Sequence, residues 1–208
     1  MGRGVEMEIF IGTLVSATVQ CLAVLVIGLA VWFFTGRATR FMRFCGLYRA
    51  PPTALVIGVV LGFAYSVSLL MVPAIWALSI GAGSVAADTA GGGQWSFAVL
   101  AVAALFQTAF SEELLFRGII GKRLIAWKGF PVGNSIQAIL FGLVHLALLR
   151  LASASLGIVI LMVIATTILG FVAGWLNERR GQGSILPGWS LHGSANLLAY
   201  FWAGFALM

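Results

Sequence analysis

Residues 9–34 read IFIGTLVSATVQCLAVLVIGLAVWFF, a run without one charged side chain. A helix of that length, at ~1.5 Å per residue, spans the ~30 Å of bilayer hydrocarbon. It is too long for the apolar region of a signal peptide and lacks a small-residue cleavage site, so it reads as a retained span. Further apolar runs follow at about 53–80, 95–118, 132–149, 154–176 and 188–207. The chain is 61% hydrophobic and 9% charged, where a soluble domain carries roughly 25% charged residues. Mean hydropathy is +1.07. The expected fold is all-α: a polytopic transmembrane helical bundle of about six spans, forming one integral-membrane domain over residues 1–208.

The charged residues orient that bundle. Arg37, Arg40, Arg43 and Arg49 fall in the first connection, Lys122, Arg123 and Lys128 in the third, and Glu178, Arg179 and Arg180 in the fifth. The second holds Asp88 beside Gly91-Gly92-Gly93, and the fourth holds Arg150. Positive-inside bias puts the odd connections in the cytoplasm and both termini outside. The net charge of +6 therefore serves orientation and anionic lipid heads, not nucleic acid. Cys21 lies mid-span and Cys45 in a basic loop, which argues against a disulfide. Pro73 is expected to kink the second span. Gly58/Gly62 and Gly170/Gly174 are small-xxx-small pairs suited to close helix packing. Trp32, Trp76, Trp95, Trp127, Trp189 and Trp202 stand near span ends, where interfacial anchors belong.

Against this background Ser111-Glu112-Glu113-Leu114-Leu115-Phe116-Arg117-Gly118 stands out, since it holds two of the six acidic residues. Charge inside a bilayer costs a few kcal/mol or more and persists where it has a partner or a function. Glu113 and Arg117 are spaced i,i+4 in the favoured order for an ion pair. Glu112, about 100° round the helix, is left without the arginine and free to face a cavity. Phe141 and His145 share a face one turn apart, as do His192 and Asn196. With ~1.5 Å rise per residue, all four polar positions fall in the half nearest the basic connections, from roughly 5 to 20 Å deep. His145 and His192 are the only two histidines of the chain. A lone Glu–Arg pair, a lone histidine or Asn196 as interhelical glue each has a structural reading. The second carboxylate does not, so the constellation reads as a functional site.

Glu112-Glu113-x-x-x-Arg117, Phe141-x-x-x-His145 and His192-x-x-x-Asn196, in that order on successive helices, resemble the three-motif pattern of the CAAX protease and bacteriocin-processing (CPBP) family. That family includes CAAX prenyl endopeptidases, Abi proteins and myxosortases. The stretch from Gly170 to Leu176 and on to Pro187 resembles the family's approach to its second histidine. The resemblance covers about 95–200, the expected catalytic core, with the helices of about 9–80 peripheral. Family members often have eight helices, which widens the expected count to six to eight. The resemblance implies a glutamic-type intramembrane endopeptidase of a bacterial or archaeal inner membrane. Glu112 and His145 would activate water, His192 and Asn196 would bind the oxyanion, and Glu113 with Arg117 would brace the helix or position substrate. The chemistry is sound: water needs a base, and a tetrahedral intermediate needs N–H donors. No cofactor is implied. The partners implied are membrane lipid and a peptide with a membrane-embedded segment.

Four other readings compete. Zinc hydrolysis has enough His and Glu ligands for an open site, though no His-Glu-x-x-His motif is present. A serine nucleophile at Ser111, Ser190 or Ser194 lacks a Gly-x-Ser-x-Gly elbow. A proton-coupled transporter would use intramembrane Glu and His, but no inverted repeat or pair of broken helices is visible. A non-enzymatic immunity protein would not need every motif residue. Prenylated tails, leader peptides and sorting-type C-terminal anchors all stay open as substrates. The orientation has a direct test. Cysteines placed at Arg40 and Lys128 are expected to resist a membrane-impermeant thiol reagent in intact cells, and one at Gly92 to react; the reverse pattern inverts the protein.

Overall fold

The computed structural model describes residues 3–35, 37–70, 95–151 and 155–205. Among them every regular element is helical: α1 (Arg3–Phe34), the short α2 (Phe41–Phe44), α3 (Pro52–Leu70), α4 (Ser96–Lys128), α5 (Phe130–Leu151), α6 (Leu156–Arg179) and α7 (Leu186–Phe205). Five of these, α1 and α3 to α6, are long and apolar enough to cross a membrane. The sixth expected span, α7, has the length but not the composition, because Ser190, His192, Ser194 and Asn196 interrupt its apolar run. Pro73, Trp76, Asp88 and the triple glycine lie outside the described residues.

The third connection is shorter than the sequence implies. Helix α4 does not stop near residue 118 but continues to Lys128, so Lys122, Arg123 and Lys128 are helical. Cations at a helix C-terminus oppose its dipole favourably. Gly129 alone then turns the chain: its φ of +78° is one that glycine adopts without penalty, and its N–H closes on Ile125 O at 2.9 Å. Helix α5 begins at once, with Pro131 in the first turn, where its missing N–H costs nothing.

The basic connections meet at one end of the bundle and are tied together. Lys122 Nζ bonds Glu178 Oε1 at 3.0 Å and Gly183 O at 2.5 Å. Arg123 Nη2 donates to Phe44 O at 2.7 Å, Ile185 N–H to Gly46 O at 2.9 Å, and Ser184 Oγ to Tyr48 O at 2.6 Å. Cys45 is buried under this clamp beside Leu114, Ile119 and Ile185. Burial pushes its thiol above the ordinary value, against the pull of Arg123 and Lys122. A thiol so held is a poor nucleophile.

Small residues set the helix spacing. Helix α3 lies along α7, and a Cβ at Gly58 would overlap Ser190 Oγ and stand 2.5 Å from Pro187 O. At Gly62 it would overlap Ser194 Oγ and Leu191 O. On α6, a Cβ at Gly174 would collide with Asn134 Oδ1 of α5. The glycine pairs are packing seams, as their spacing predicts. Trp189, expected as an interfacial anchor, instead joins two helices: its Nε1–H donates to Leu105 O at 2.7 Å, between Phe106 and Phe110. The seam predicts that Gly62→Ala lowers the detergent melting temperature by about 3–10 °C, from the usual cost of overpacking. Gly12→Ala, at a position with open space around it, is the control. Equal melting of the two variants would show that the seam does not limit packing.

Candidate active site

Helix α4 carries the acidic pair on an unusual winding. Residues Ala103–Phe110 and Glu113–Gly121 are π-helical, with Ser111 and Glu112 between them in ordinary α geometry. Ser111 N–H reaches Phe106 O and Lys122 N–H reaches Arg117 O, each five residues back. Such wide turns are rare and concentrate at functional sites.

Glu113 is 0% exposed. Its Oε1 lies 3.2 Å from Arg117 Nη1 and 3.2 Å from His192 Nδ1. The arginine contact is an ion pair without hydrogen-bond alignment, since none of the guanidinium nitrogens has a bonded partner among the described residues. The guanidinium instead lies 4.2 Å over the Phe141 ring, a favourable cation–π arrangement. Gly170 makes room for it: a Cβ there would stand 3.3 Å from Arg117 Nη2.

The expected Glu113–Arg117 pair is present, and it has a third member. His192 stands between the two carboxylates, Nδ1 on Glu113 and Nε2 3.8 Å from Glu112 Oε2. Glu112 is therefore not alone in a cavity. It keeps partial access, its side chain 22% exposed, and faces the same imidazole as its neighbour. A carboxylate accepts, so the Glu113 contact requires the proton on His192 Nδ1 and directs Nε2 toward Glu112. Two carboxylates and one guanidinium leave one excess negative charge, and one further proton on the imidazole makes the cluster neutral.

Phe141 brings in the second histidine. Its fully buried ring meets His145 at 4.7 Å, His192 at 5.8 Å and Phe116 at 4.9 Å between centroids, each edge-on. His145 Nδ1 is 2.9 Å from Phe141 O. A carbonyl accepts, so His145 carries its proton on Nδ1 and leaves Nε2 open as an acceptor. Asn196, one turn beyond His192, donates from Nδ2 to Thr108 Oγ1 at 2.9 Å. The Thr108 hydroxyl in turn donates to Ala103 O and Ala104 O. Thr108, an uncharged residue one turn before Glu112, has no motif in the sequence that marks it.

The serines near the motifs are engaged elsewhere. Ser111 donates to Gln107 O at 2.5 Å and accepts from Gln20 at 2.9 Å. Ser190 donates to Pro187 O and Ser194 to Ser190 O. Among the described residues no group of three or more His, Cys, Asp or Glu side chains is arranged to hold a metal ion.

Residues 94–198, just over half of the chain, match the family model described as Type II CAAX prenyl endopeptidase Rce1-like. No curated protein and no solved structure matches the chain. The matched stretch holds Glu112, Glu113, Arg117, Phe141, His145, His192 and Asn196. An integral membrane protein by its apolar helices, the chain belongs to the Rce1-like family of type II CAAX prenyl endopeptidases.

Proposed function

We propose that the protein is a glutamic-type intramembrane endopeptidase that hydrolyses a peptide bond near the membrane surface. The observation that carries this reading is the His192 imidazole, spanned between Glu113 Oε1 and Glu112 Oε2. Glu112 is the base. It accepts a proton from a water oriented by His145 Nε2, and the hydroxide attacks the scissile carbonyl carbon. The carbonyl π electrons move onto oxygen, where Nε2–H of His192, protonated on both ring nitrogens, and Asn196 Nδ2–H donate to the oxyanion. Asn196 has a second amide hydrogen for this, because Thr108 takes only one. Glu112 then returns the proton to the leaving nitrogen as the C–N bond breaks. Glu113 and Arg117 hold the imidazole in place and take no proton. Preoriented donors of this kind each contribute on the order of 10²–10³ in rate, and a positioned base about 10²–10⁴. No step requires a metal ion.

The substrate is a lipidated or membrane-anchored peptide, cut in its C-terminal or leader segment. The membrane is the bacterial or archaeal inner membrane, with the site toward the cytoplasm. Support comes from the clamp of basic connections, which collects Lys122, Arg123 and the segments around Tyr48 and Gln182 at one end of the bundle.

Glu112→Gln is expected to reduce cleavage of a farnesylated CAAX peptide by at least about 100-fold with the melting temperature unchanged. Exhaustive chelation is expected to leave wild-type cleavage intact. Near-normal product formation by Glu112→Gln, read by mass spectrometry, removes the glutamate mechanism. Glu113→Ala and Arg117→Ala behave differently, because each strands a buried charge at a cost of about 3–5 kcal/mol. Both are expected to lose about 10 °C or more of melting temperature along with activity. Wild-type stability in both would refute the bracing role.

A further inference from the structure

Besides the Arg117 nitrogens and Glu112 Oε2, two buried polar atoms at the Glu113 junction have no hydrogen-bond partner among the described residues: Glu113 Oε2 and Asn177 Nδ2. Asn177 stands near the end of α6 and is 1% exposed. Its Oδ1 accepts from Gly188 N–H at 2.6 Å. That N–H belongs to the first turn of α7, where backbone donors lack partners within their own helix. Asn177 thus caps α7 from a neighbouring helix.

Gly188 also locates the free ends. A Cβ built on it would stand 2.6 Å from Asn177 Nδ2 and 2.6 Å from Glu113 Oε2. The two atoms lie over the same backbone position, at most twice that distance apart. One is an amide donor and the other a carboxylate acceptor, and both are buried. Unsatisfied buried groups of this kind carry a desolvation penalty that a bond between them removes, and a bond to a charged acceptor is the stronger kind.

From this geometry we infer that Asn177 is a positioning residue for the site, its carboxamide linking Gly188 N–H of α7 to Glu113 Oε2 of α4. Glu113 then uses Oε1 for His192 and Arg117 and Oε2 for Asn177. A carboxylate held at both oxygens cannot turn about its terminal torsion, so it fixes the imidazole that leans on it. The same link sets the rotation of α7 relative to α4, and with it the direction of His192 Nε2. Gly188 is glycine because the amide and the carboxylate occupy the place of its side chain. Asn177 touches no reacting atom in this scheme and acts through Glu113.

The peptidase reading enters the test only through its rate measurement. Because the chain has only two histidines, ¹⁵N-histidine-labelled protein gives a spectrum that a His145 variant assigns. Asn177→Leu is expected to move the His192 ring-nitrogen resonances and leave those of His145 in place. On a farnesylated CAAX peptide, kcat is expected to fall about 10–100-fold, as for loss of an outer-shell partner, with KM within about twofold. Asn177→Asp keeps the acceptor for Gly188 N–H and removes the donor, so the same loss is expected. Adding Glu113→Gln to Asn177→Asp restores a donor–acceptor pair in reverse. The double variant is expected to melt at least about 3 °C above Asn177→Asp alone. Unmoved His192 resonances with full kcat overturn the proposal, and so does a double variant no more stable than the single. If wild-type protein leaves the peptide uncut, the peptidase reading fails, while the resonances and the charge swap still decide the role of Asn177.

Discussion

A carboxylate shut away from solvent inside a membrane protein constrains everything near it, and Glu113 is that carboxylate. Moving such a charge out of water costs several kcal/mol unless attraction and hydrogen bonds offset the loss. Each helix around Glu113 contributes to that offset. Helix α4 supplies Arg117, α7 supplies His192 Nδ1, and α5 supplies the Phe141 ring beneath the guanidinium. Helix α6 contributes an absence, since Gly170 leaves the space that Arg117 fills. The arrangement is a junction of four helices rather than a pair on one, which is why the catalytic candidates sit on elements far apart in the chain.

The winding of α4 follows from the same demand. In an ordinary helix each residue turns ~100°, and both ends of the helix would have to be satisfied at that fixed pitch. The π-helical stretches on either side of Ser111–Glu112 let the two halves take different rotations. The first half presents Thr108 to Asn196. The second presents Glu113, Phe116 and Arg117 to the core around Phe141. Glu112, at the change of pitch, keeps contact with His192 without being buried as deeply as its neighbour.

Much of this was legible in the sequence because membrane proteins write their constraints in composition. Apolar runs mark the helices, and charge in an apolar run marks the candidate site. The Glu113–Arg117 spacing and the two glycine pairs translated directly into contacts. What escaped is what periodicity does not encode. The sequence contains no sign that α4 changes pitch, so the angle between Glu112 and Glu113 could not be derived from an ideal helix. Charge usually ends a span, yet Lys122 and Arg123 lie within α4, where they bond carbonyls of other segments. Thr108 and Asn177 carry no charge and match no spacing rule. Their roles depend on which helix lies opposite.

The polarity of α7 has a consequence for biogenesis. A segment bearing a histidine, an asparagine and two serines enters hydrocarbon poorly by itself, yet its polar groups are met in the folded bundle by Glu113, Thr108 and the backbone of α3. Those partners precede it in the chain and leave the ribosome first. The residues that meet the polar face of α7 are thus all synthesised before it, and its docking completes the constellation. The nascent chain passes through most of its synthesis without a histidine opposite either carboxylate, so the cluster of Glu112, Glu113 and His192 closes only when α7 is in place.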